Sequence, residues 1–236
     1  MNSKSKKKII HIALSGANGR MGISLQNLIK KSPQLKLTAK AHRKSCFKYW
    51  QDKTIDGVID FSAPSFFNFS LDWAIQYKKA FVSGTTALNS QQKENLKKAS
   101  KKIPVFYSEN MSPGIFLMSQ WIHKLFNPEL QILLEDIHHK NKKDKPSGTA
   151  LKLKDNLPAF LHKNLKIKSY RQGKEFGLHR LTIKNKEEVL ILEHIALNRD
   201  LFSKGALHAL IFILGKKKGF YDLSLLYRQK KLSPLF

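Results

Sequence analysis

The chain lacks the features of a disulfide-stabilised or membrane-spanning protein. It has one cysteine among 236 residues, Cys46, so no disulfide forms within the chain and thiolate metal-site spacing is missing. No apolar run approaches the roughly 18–20 residues that a membrane span needs. The short apolar run after the basic N-terminus is better explained as a strand than as a signal-peptide core. We therefore expect a cytoplasmic protein with no membrane partner and no bound metal.

Acidic residues and arginine are also scarce, whereas lysine is abundant. The 43 Lys and Arg residues against 17 Asp and Glu give a formal net charge of +26, and Arg occurs at six positions. Such a surplus of positive charge is typical of nucleic-acid binding. These lysines, however, are spread along the chain, and proteins that recognise nucleic-acid bases favour arginine. We interpret the charge as a lysine bias that steers anionic ligands. A polyanion-binding role is the less favoured alternative, and we expect no nucleic-acid partner.

Hydrophobic periodicity predicts an α/β fold in the first half of the chain. A β-branched run at 9–15 ends at Gly16, and apolar residues at helical spacing follow it. Further strands are predicted at 35–41, 57–61, 80–84 and 105–107, with helices at 65–78 and 90–101, the second capped by Ser90. This alternation indicates a Rossmann-like, doubly wound parallel sheet.

The pattern changes after Asn110. Helices are predicted at 115–125, 151–161 and 205–214, and strands at 131–137, 178–183 and 189–193. The last two strands are separated by a hairpin-like segment. We therefore predict that a smaller α+β domain is inserted after the doubly wound sheet.

The segment Gly16-Ala-Asn-Gly-Arg-Met-Gly22 lies between the first strand and the first helix. Asn18 stands where a dinucleotide fingerprint has its middle glycine, and asparagine tolerates a left-handed backbone. In this context the backbone N–H groups and the helix dipole are suited to a pyrophosphate. A tight turn without a ligand would look the same.

A position about 20 residues after the glycine loop distinguishes chains that bind NADH from chains that bind NADPH. NAD-binding chains carry an acid there for the ribose 2′-hydroxyl, but this chain has His42 followed by Arg43 and no acid before Asp52. Arg43 can hold a 2′-phosphate by charge-assisted hydrogen bonds. We predict that NADPH is preferred and that NADH is possible; the alternative is a solvated basic loop.

Residues 135–150 bring two histidines, a lysine cluster and Pro-Ser-Gly-Thr together. His138 can exchange a proton near neutrality, and Lys142 can donate a proton or hold a developing negative charge. Ser147 or Thr149 can cap a helix whose N–H groups bind a carboxylate. A polar strand end, a metal site and an ordinary capped helix are the alternatives. The remaining histidines, including His179 and His194, are interpreted as structural.

These segments together resemble the bacterial 4-hydroxy-tetrahydrodipicolinate reductases of lysine and diaminopimelate biosynthesis. The resemblance runs from the glycine loop through Ile59-Asp-Phe-Ser62, Gly84-Thr-Thr86 and Asn110-Met-Ser112. It is most specific at Glu135 and at 138–150, and it continues in 198–206 and 219–222. It implies a dinucleotide-binding domain at 1–113, completed by 198–236, and a substrate-binding and oligomerisation domain at 114–197.

The resemblance also implies a role for individual residues. His138 and Lys142 match the proton-donating pair, and His139, Gly148 and Thr149, to which we add Ser147, match the substrate-binding positions. The cofactor positions are Gly16, Ala17, Asn18, Gly19, Arg20, Met21, Gly84, Thr85, Thr86, Glu109, Asn110, Met111 and Ser112, to which residue spacing adds His42 and Arg43.

The implied reaction is the reduction of 4-hydroxy-tetrahydrodipicolinate, a small anionic dicarboxylate, with NAD(P)H. A related oxidoreductase of another amino-acid-derived dicarboxylate and a nucleic-acid-binding module on the same scaffold are the alternatives. A homo-oligomer is implied as well, and family tetramers assemble through the sheet of the substrate domain. In this chain the region from about 173 to 194 is shorter than is usual in the family, which leaves the tetramer open.

Overall fold

The computed structural model describes residues 8–42, 50, 54–140, 142–172 and 176–228. The chain divides into two compact units, the first formed by Met1–Met111 with Phe202–Phe236 and the second by Ser112–Leu201. Among the described residues, none of the helices has the length and apolar character required for a membrane span.

Ten strands and seven helices make up the described part of the chain. The strands are β1 (Ile10–Ser15), β2 (Leu35–Ala41), β3 (Gly57–Asp60), β4 (Ala80–Ser83), β5 (Pro104–Tyr107), β6 (Gln131–His138), β7 (Leu165–Arg171), β8 (Leu178–Lys184), β9 (Val189–Ile195) and β10 (Gly219–Tyr221). The helices are α1 (Arg20–Lys31), α2 (Pro64–Gln76), α3 (Ser90–Ser100), α4 (Pro113–Ile122), α5 (Gly148–Asn156), α6 (Asp200–Ile213) and α7 (Leu223–Tyr227), and a 3-10 helix spans Ala159–Asn164.

The first unit is built on a six-stranded sheet in the order β10-β5-β4-β3-β1-β2, and every pair in it is parallel. Strands β3 and β4 are buried along their whole length, as expected where helices cover both faces of a parallel sheet. Phe67, Phe81 and Val105 belong to its core. The carboxyl ends of β1, β3, β4 and β5 meet at one edge, where doubly wound sheets bind ligands. The predicted Rossmann-like fold is confirmed.

The start of α3 differs by one residue from the prediction. Asn89, not Ser90, is the N-cap: its side chain accepts a hydrogen bond from the Gln92 backbone N–H at 2.8 Å. The Gln92 side chain accepts one from the Asn89 backbone N–H at 3.0 Å. This reciprocal capping box satisfies two N–H groups that the helix itself leaves unpaired.

The second unit contains a mixed four-stranded sheet in the order β7-β6-β8-β9. β6 pairs in parallel with β7 and antiparallel with β8, and β8 pairs antiparallel with β9. Ile132, Leu134 and Leu181 of the sheet pack into one core cluster with Ile122 of α4 and Leu153 of α5. The second unit is therefore an α+β arrangement around its own core, as predicted.

Two elements of this unit depart from the predictions. β7 was not predicted, although Leu165 and Ile167 alternate with Lys166 and Lys168, which is the period of a half-buried strand. The helix predicted at 151–161 ends at Asn156 and is followed by a separate 3-10 helix. Pro158 explains the break, because it cannot supply a backbone N–H to continue the helix.

Candidate functional site

The glycine loop of the first unit presents an uncapped helix N-terminus. Gly16 has a φ of +78°, and a β-carbon there would lie 2.2 Å from the backbone oxygen of Phe61. A β-carbon on Gly22 would lie 2.3 Å from the backbone oxygen of Gly16. Gly19, the N-cap of α1, offers no side-chain cap to the first turn.

The exposure of the loop fits the cofactor prediction for most of its residues. Asn18, Gly19 and Arg20 are exposed and Met21 is half-buried, whereas Ala17 is fully buried. An uncapped, exposed helix N-terminus after a parallel strand suits a pyrophosphate. Of the two residues predicted to select between the cofactors, His42 follows β2 and is half-buried. Arg43 lies outside the described residues.

A buried carboxylate holds the edge of the sheet beside this loop. Asp60 ends β3, has no exposed surface, and accepts hydrogen bonds from the hydroxyls of Ser62 (2.6 Å), Ser70 (3.2 Å), Ser83 (2.9 Å) and Thr85 (2.6 Å). Burial raises the pKa of Asp60, and the hydroxyl hydrogen bonds oppose that rise. The sequence analysis did not identify this residue, although an aspartate ending a buried apolar strand was a usable signal.

The segment after β4 is fixed by this network. Thr85 is buried and donates its hydroxyl to Asp60. Thr86 is exposed. A β-carbon on Gly84 would lie 2.2 Å from the ring of Phe61, so glycine is needed for this close packing.

The residues after β5 divide between the two units. The Tyr107 hydroxyl donates to Glu109 at 3.0 Å, and burial together with the Glu109 charge raises the pKa of Tyr107. Asn110 is half-buried and Met111 is fully buried. Ser112 is buried in the second unit, where it caps α4 by accepting from the Ile115 N–H at 3.3 Å.

In the second unit, strand β6 carries the central histidine. The period of two along a strand places Asp136 and His138 on the same face as the core residues Ile132 and Leu134. Asp136 has no exposed surface and His138 is 6% exposed. Nδ1 of His138 lies 2.9 Å from Oδ1 of Asp136. The two atoms are close enough for an ion pair, but the Nδ1–H of His138 is not aligned on the Asp136 oxygen for a hydrogen bond.

Strand register brings two further charged or titratable side chains to Asp136. His179 of β8 stands directly opposite Asp136, and Arg171 of β7 is paired with His138. Nη2 of Arg171 lies 3.1 Å from Oδ2 of Asp136, and Nε2 of His179 lies 3.5 Å from Oδ1. Ser147, the N-cap of α5, donates its hydroxyl to Oδ1 at 2.7 Å and its N–H to Oδ2 at 2.9 Å.

The contacts of Asp136 determine its protonation state. Burial by itself raises the pKa of a carboxyl group, but the close contact with His138 and the hydrogen bonds from Ser147 outweigh it and hold the pKa of Asp136 well below its usual range. The carboxylate is therefore ionised at any pH at which the protein works.

His179 and His194 belong to this cluster, which corrects their interpretation as isolated structural residues. The His179 ring meets that of His138 edge to face at 5.2 Å and lies 6.2 Å from that of His194. Burial, followed by the charge of His138, lowers the pKa of His179 to about 3, so this imidazole is neutral. Nε2 of His194 lies 2.9 Å from Oγ of Ser112. Only the pairing of β8 with β6 and β9 reveals this arrangement.

Lys142 and the start of α5 are joined by a second aspartate. Nζ of Lys142 lies 2.8 Å from Oδ1 of Asp144, whose Oδ2 accepts from the Gly148 N–H at 3.3 Å. Burial raises the pKa of Asp144, but the contacts with Lys142 outweigh it and lower the pKa. The Lys142 charge also contributes to lowering the pKa of His179, so Lys142 lies within electrostatic reach of the histidine cluster.

The predicted substrate-binding residues differ in what they offer a ligand. Both donors of Ser147, its N–H and its hydroxyl, are directed at Asp136, and the residue is 1% exposed. His139, Gly148 and Thr149 are half-buried. The geometry therefore gives Ser147 the task of holding Asp136, while the other three are more accessible to a ligand.

The cluster also has the composition of a metal site. Asp136, His138 and His179 each offer one ligand atom, and these atoms lie within 4.8 Å of one another. The Asp136 oxygens, however, already accept from Ser147 and face the Arg171 guanidinium. A cation would have to compete with these donors and with a fixed positive charge.

Comparison with known proteins identifies the family. The family model described as "Dihydrodipicolinate reductase, N-terminus" matches residues 10–111, and "Dihydrodipicolinate reductase, C-terminus" matches 114–226. The 4-hydroxy-tetrahydrodipicolinate reductase of Bdellovibrio bacteriovorus is 37% identical over 219 residues, covering 92% of this chain and 95% of the relative. That of Rickettsia bellii is 34% identical over 240 residues, covering 93% and 95%.

Solved structures show the same fold. A dipicolinate-bound dihydrodipicolinate reductase from Paenisporosarcina sp. TG-14 has a TM-score of 0.72 and 18% identity, covering 91% of this chain and 97% of that one. A myo-inositol dehydrogenase from Corynebacterium glutamicum has a TM-score of 0.61 and 14% identity, covering 90% of each chain. Together with the match of both family models along the chain, these relatives show that the protein belongs to the dihydrodipicolinate reductase family, whose curated members are named 4-hydroxy-tetrahydrodipicolinate reductases.

Proposed function

We propose that this chain reduces 4-hydroxy-tetrahydrodipicolinate to tetrahydrodipicolinate in diaminopimelate and lysine biosynthesis. The protein is a nicotinamide-dependent oxidoreductase by family. The observation that carries the proposal is the site of the second unit, in which His138 contacts the buried Asp136 and Lys142 contacts the exposed Asp144. The substrate is a small dicarboxylate, and the positive charges of Lys142 and Arg171 favour such an anion electrostatically.

The roles of the residues follow from their chemistry. The bound dinucleotide supplies the hydride. Hydride addition leaves electron density on the substrate that must be protonated, and His138 is the proton donor. Lys142 holds the developing negative charge or relays the proton, and Asp144 keeps its ammonium group at the start of α5. His139, Gly148 and Thr149 are proposed to hold the substrate carboxylates.

The first unit is proposed to bind the dinucleotide through residues 16–21, 84–86 and 109–111. The uncapped N-terminus of α1 supports the pyrophosphate position.

We also propose a preference for NADPH, because His42 and Arg43 stand where an NAD-binding chain carries an acid. Replacement of Arg43 by Ala should raise the KM for NADPH much more than that for NADH. Equal changes in the two KM values would contradict the assignment.

Partners and location follow from the same chemistry. We propose a cytoplasmic homo-oligomer that acts on a small molecule and needs neither nucleic acid nor metal. Activity should survive dialysis against EDTA, because Ser147 and Arg171 already occupy the Asp136 carboxylate. Size-exclusion chromatography with light scattering would give the oligomeric state.

The proposal is tested by a coupled assay in which the preceding synthase generates the unstable substrate and NADPH absorbance is followed. His138→Ala and Lys142→Ala should each lower kcat by about 10²-fold, which is the usual contribution of a positioned proton donor. His123→Ala and Lys143→Ala are matched controls, because both side chains are exposed in the same unit, and both should retain wild-type kcat. Near-wild-type rates for His138→Ala and Lys142→Ala would overturn the assigned roles.

A further inference from the structure

We propose that Asp136 is the positioning residue of His138 and holds the ring by Nδ1, so that Nε2 is the atom that passes the proton to the substrate. The inference rests on the proposed role of His138 and assigns a function to a residue that does not itself touch the substrate. Its first support is the 2.9 Å separation of Nδ1 and Oδ1 inside the second unit.

The carboxylate is itself immobilised, which a positioning group requires. Ser147 donates to both of its oxygens, at 2.7 and 2.9 Å, and Arg171 contacts Oδ2 at 3.1 Å. Arg171 also donates to the backbone oxygens of Asp136, Tyr170 and Asp144, so the guanidinium links β6 and β7 to the loop before α5. With no exposed surface, Asp136 has no competing contact with water. It therefore presents a fixed acceptor to His138.

The charge of the carboxylate selects the tautomer of the ring. An ionised carboxylate only accepts hydrogen bonds, so the nitrogen facing it carries the proton. The neutral ring then has hydrogen on Nδ1 and a lone pair on Nε2, and the cationic ring has hydrogen on both. When His138 protonates the substrate, the Nε2–H bond breaks and its proton forms the new bond on the substrate. The other proton remains bonded to Nδ1 and directed at the Asp136 carboxylate. Poorly aligned hydrogen bonds in a site without substrate, such as that between Nδ1 of His138 and Oδ1 of Asp136, become shorter and better aligned when the substrate binds.

The surroundings of the two ring nitrogens differ in the way this role needs. A β-carbon on Gly177 would lie 3.1 Å from Nε2 of His138, so any other residue at this position would crowd Nε2. The neutral ring of His179 packs edge to face against His138 and supports its orientation. Nδ1 therefore faces the Asp136 carboxylate, whereas Nε2 faces Gly177.

The test uses Asp136→Asn, which keeps the shape of the side chain and removes its charge. Glu135→Gln is the matched control, because Glu135 is the adjacent residue of β6 and points to the opposite face, toward Arg180. We expect kcat of Asp136→Asn to fall by about 10²-fold with the KM for substrate changed by less than about threefold. Glu135→Gln should keep wild-type kcat. Unchanged kcat in Asp136→Asn would overturn the inference.

A double variant separates positioning from a merely structural effect. If Asp136 acts through His138, then adding Asp136→Asn to His138→Ala should lower kcat no further. A further loss in the double variant comparable to that in the single one would overturn the inference. A near-wild-type kcat of His138→Ala alone would instead defeat the proposed function, so the two failures are distinguishable.

A measurement on the wild-type protein covers the case in which Asp136→Asn does not fold. The ¹⁵N chemical shifts of the His138 ring, assigned by their loss in His138→Ala, report which nitrogen carries the proton when the ring is neutral. We expect the Nδ1–H form. Observation of the Nε2–H form would overturn the inference without any change at Asp136.

Discussion

Two buried aspartates, one in each unit, are stabilised by different partners. Asp60 is surrounded by four hydroxyl groups, which are neutral dipoles, and its pKa is raised because burial dominates. Asp136 faces Arg171 and His138 as well as Ser147, and its pKa is lowered. A nearby cation compensates the lost hydration of a buried carboxylate and favours its charged form, whereas the hydroxyls at Asp60 do not outweigh burial. The two residues therefore suit different tasks, one holding a loop and the other orienting a proton donor.

The raised pKa of Asp60 predicts a specific dependence of stability on pH. The folded state holds this proton to higher pH than the unfolded state, whose carboxyl has an ordinary pKa near 3.8. The contribution of Asp60 to stability is thus fully present below that value and is lost as pH rises through the folded-state pKa. We expect the free energy of unfolding to fall less between about pH 4 and pH 7 in Asp60→Asn than in the wild type.

Urea unfolding at a series of pH values measures this effect. Glu94→Gln is a suitable control, because Glu94 is exposed on α3 of the same unit, and its curve should run parallel to that of the wild type. Parallel curves for Asp60→Asn and the wild type would show that burial of Asp60 carries no pH-dependent cost.

At the scale of elements, the starts of the helices fall into two groups. α3, α4, α5 and α7 begin with a side-chain cap, whereas α1 and α2 do not. α2 has Pro64 at its first position, where the missing N–H costs nothing. α1 has only Gly19, and this is the helix that follows the glycine loop. The missing side-chain cap of α1 agrees with the proposed pyrophosphate position, because a phosphate accepts hydrogen bonds from the first N–H groups of a helix.

The capping box of α3 predicts that substitutions of the adjacent residues Asn89 and Ser90 have different effects on the free energy of unfolding. Asn89→Ala should reduce the free energy of unfolding by about 1 kcal/mol, because it removes the acceptor for the Gln92 N–H. Ser90→Ala should change it by less than about 0.5 kcal/mol, because Ser90 is an exposed first residue of the helix. Chemical denaturation of both variants measures the difference. A larger loss for Ser90→Ala would favour the N-cap that the sequence pattern alone suggested.

Strand β6 shows how an element organises the site of the second unit. Its neighbours on either side, β7 and β8, contribute Arg171 and His179, which are 35 and 43 positions away from Asp136 in the chain. Because β7 and β8 flank β6 on its two sides, their side chains approach one carboxylate from opposite sides. A shift of one residue in either register would turn the side chain to the other face of the sheet.

For the whole molecule, the net charge of +26 exceeds what the site requires. A positive field of this size attracts both the dinucleotide and the dicarboxylate, and salt screens it. Raising the ionic strength from about 0.01 M to about 0.1 M shortens the Debye length from about 30 Å to about 10 Å. We expect kcat/KM for both anionic ligands to fall by about threefold or more over this range, with little change in kcat.

Initial rates at several salt concentrations check this prediction. A neutral viscogen at constant salt is the control for slower diffusion. If kcat/KM is constant while salt varies, the lysine bias plays no part in capturing the ligands.

The local patterns of the sequence were sufficient for most of the fold. Apolar periodicity and the glycines around Gly16 predicted the parallel sheet, because strands buried on both faces and an amphipathic helix leave direct traces in the chain. The 135–150 motif indicated the family, whose models match both halves of the chain. The catalytic and cofactor positions proposed from it remain predictions.

The tertiary structure decided which side chains share an environment. The sequence does not show what Asp60, Asp136, Arg171 and His179 contact, because their partners lie on other strands or beyond a loop. Strand order and register bring hydroxyls to Asp60 and a cation with two imidazoles to Asp136. The sequence by itself determined the elements and the motif, since these depend on neighbours in the chain. The protonation states and the orientation of His138 depend on burial and on distant partners, which exist only once the sheets have formed.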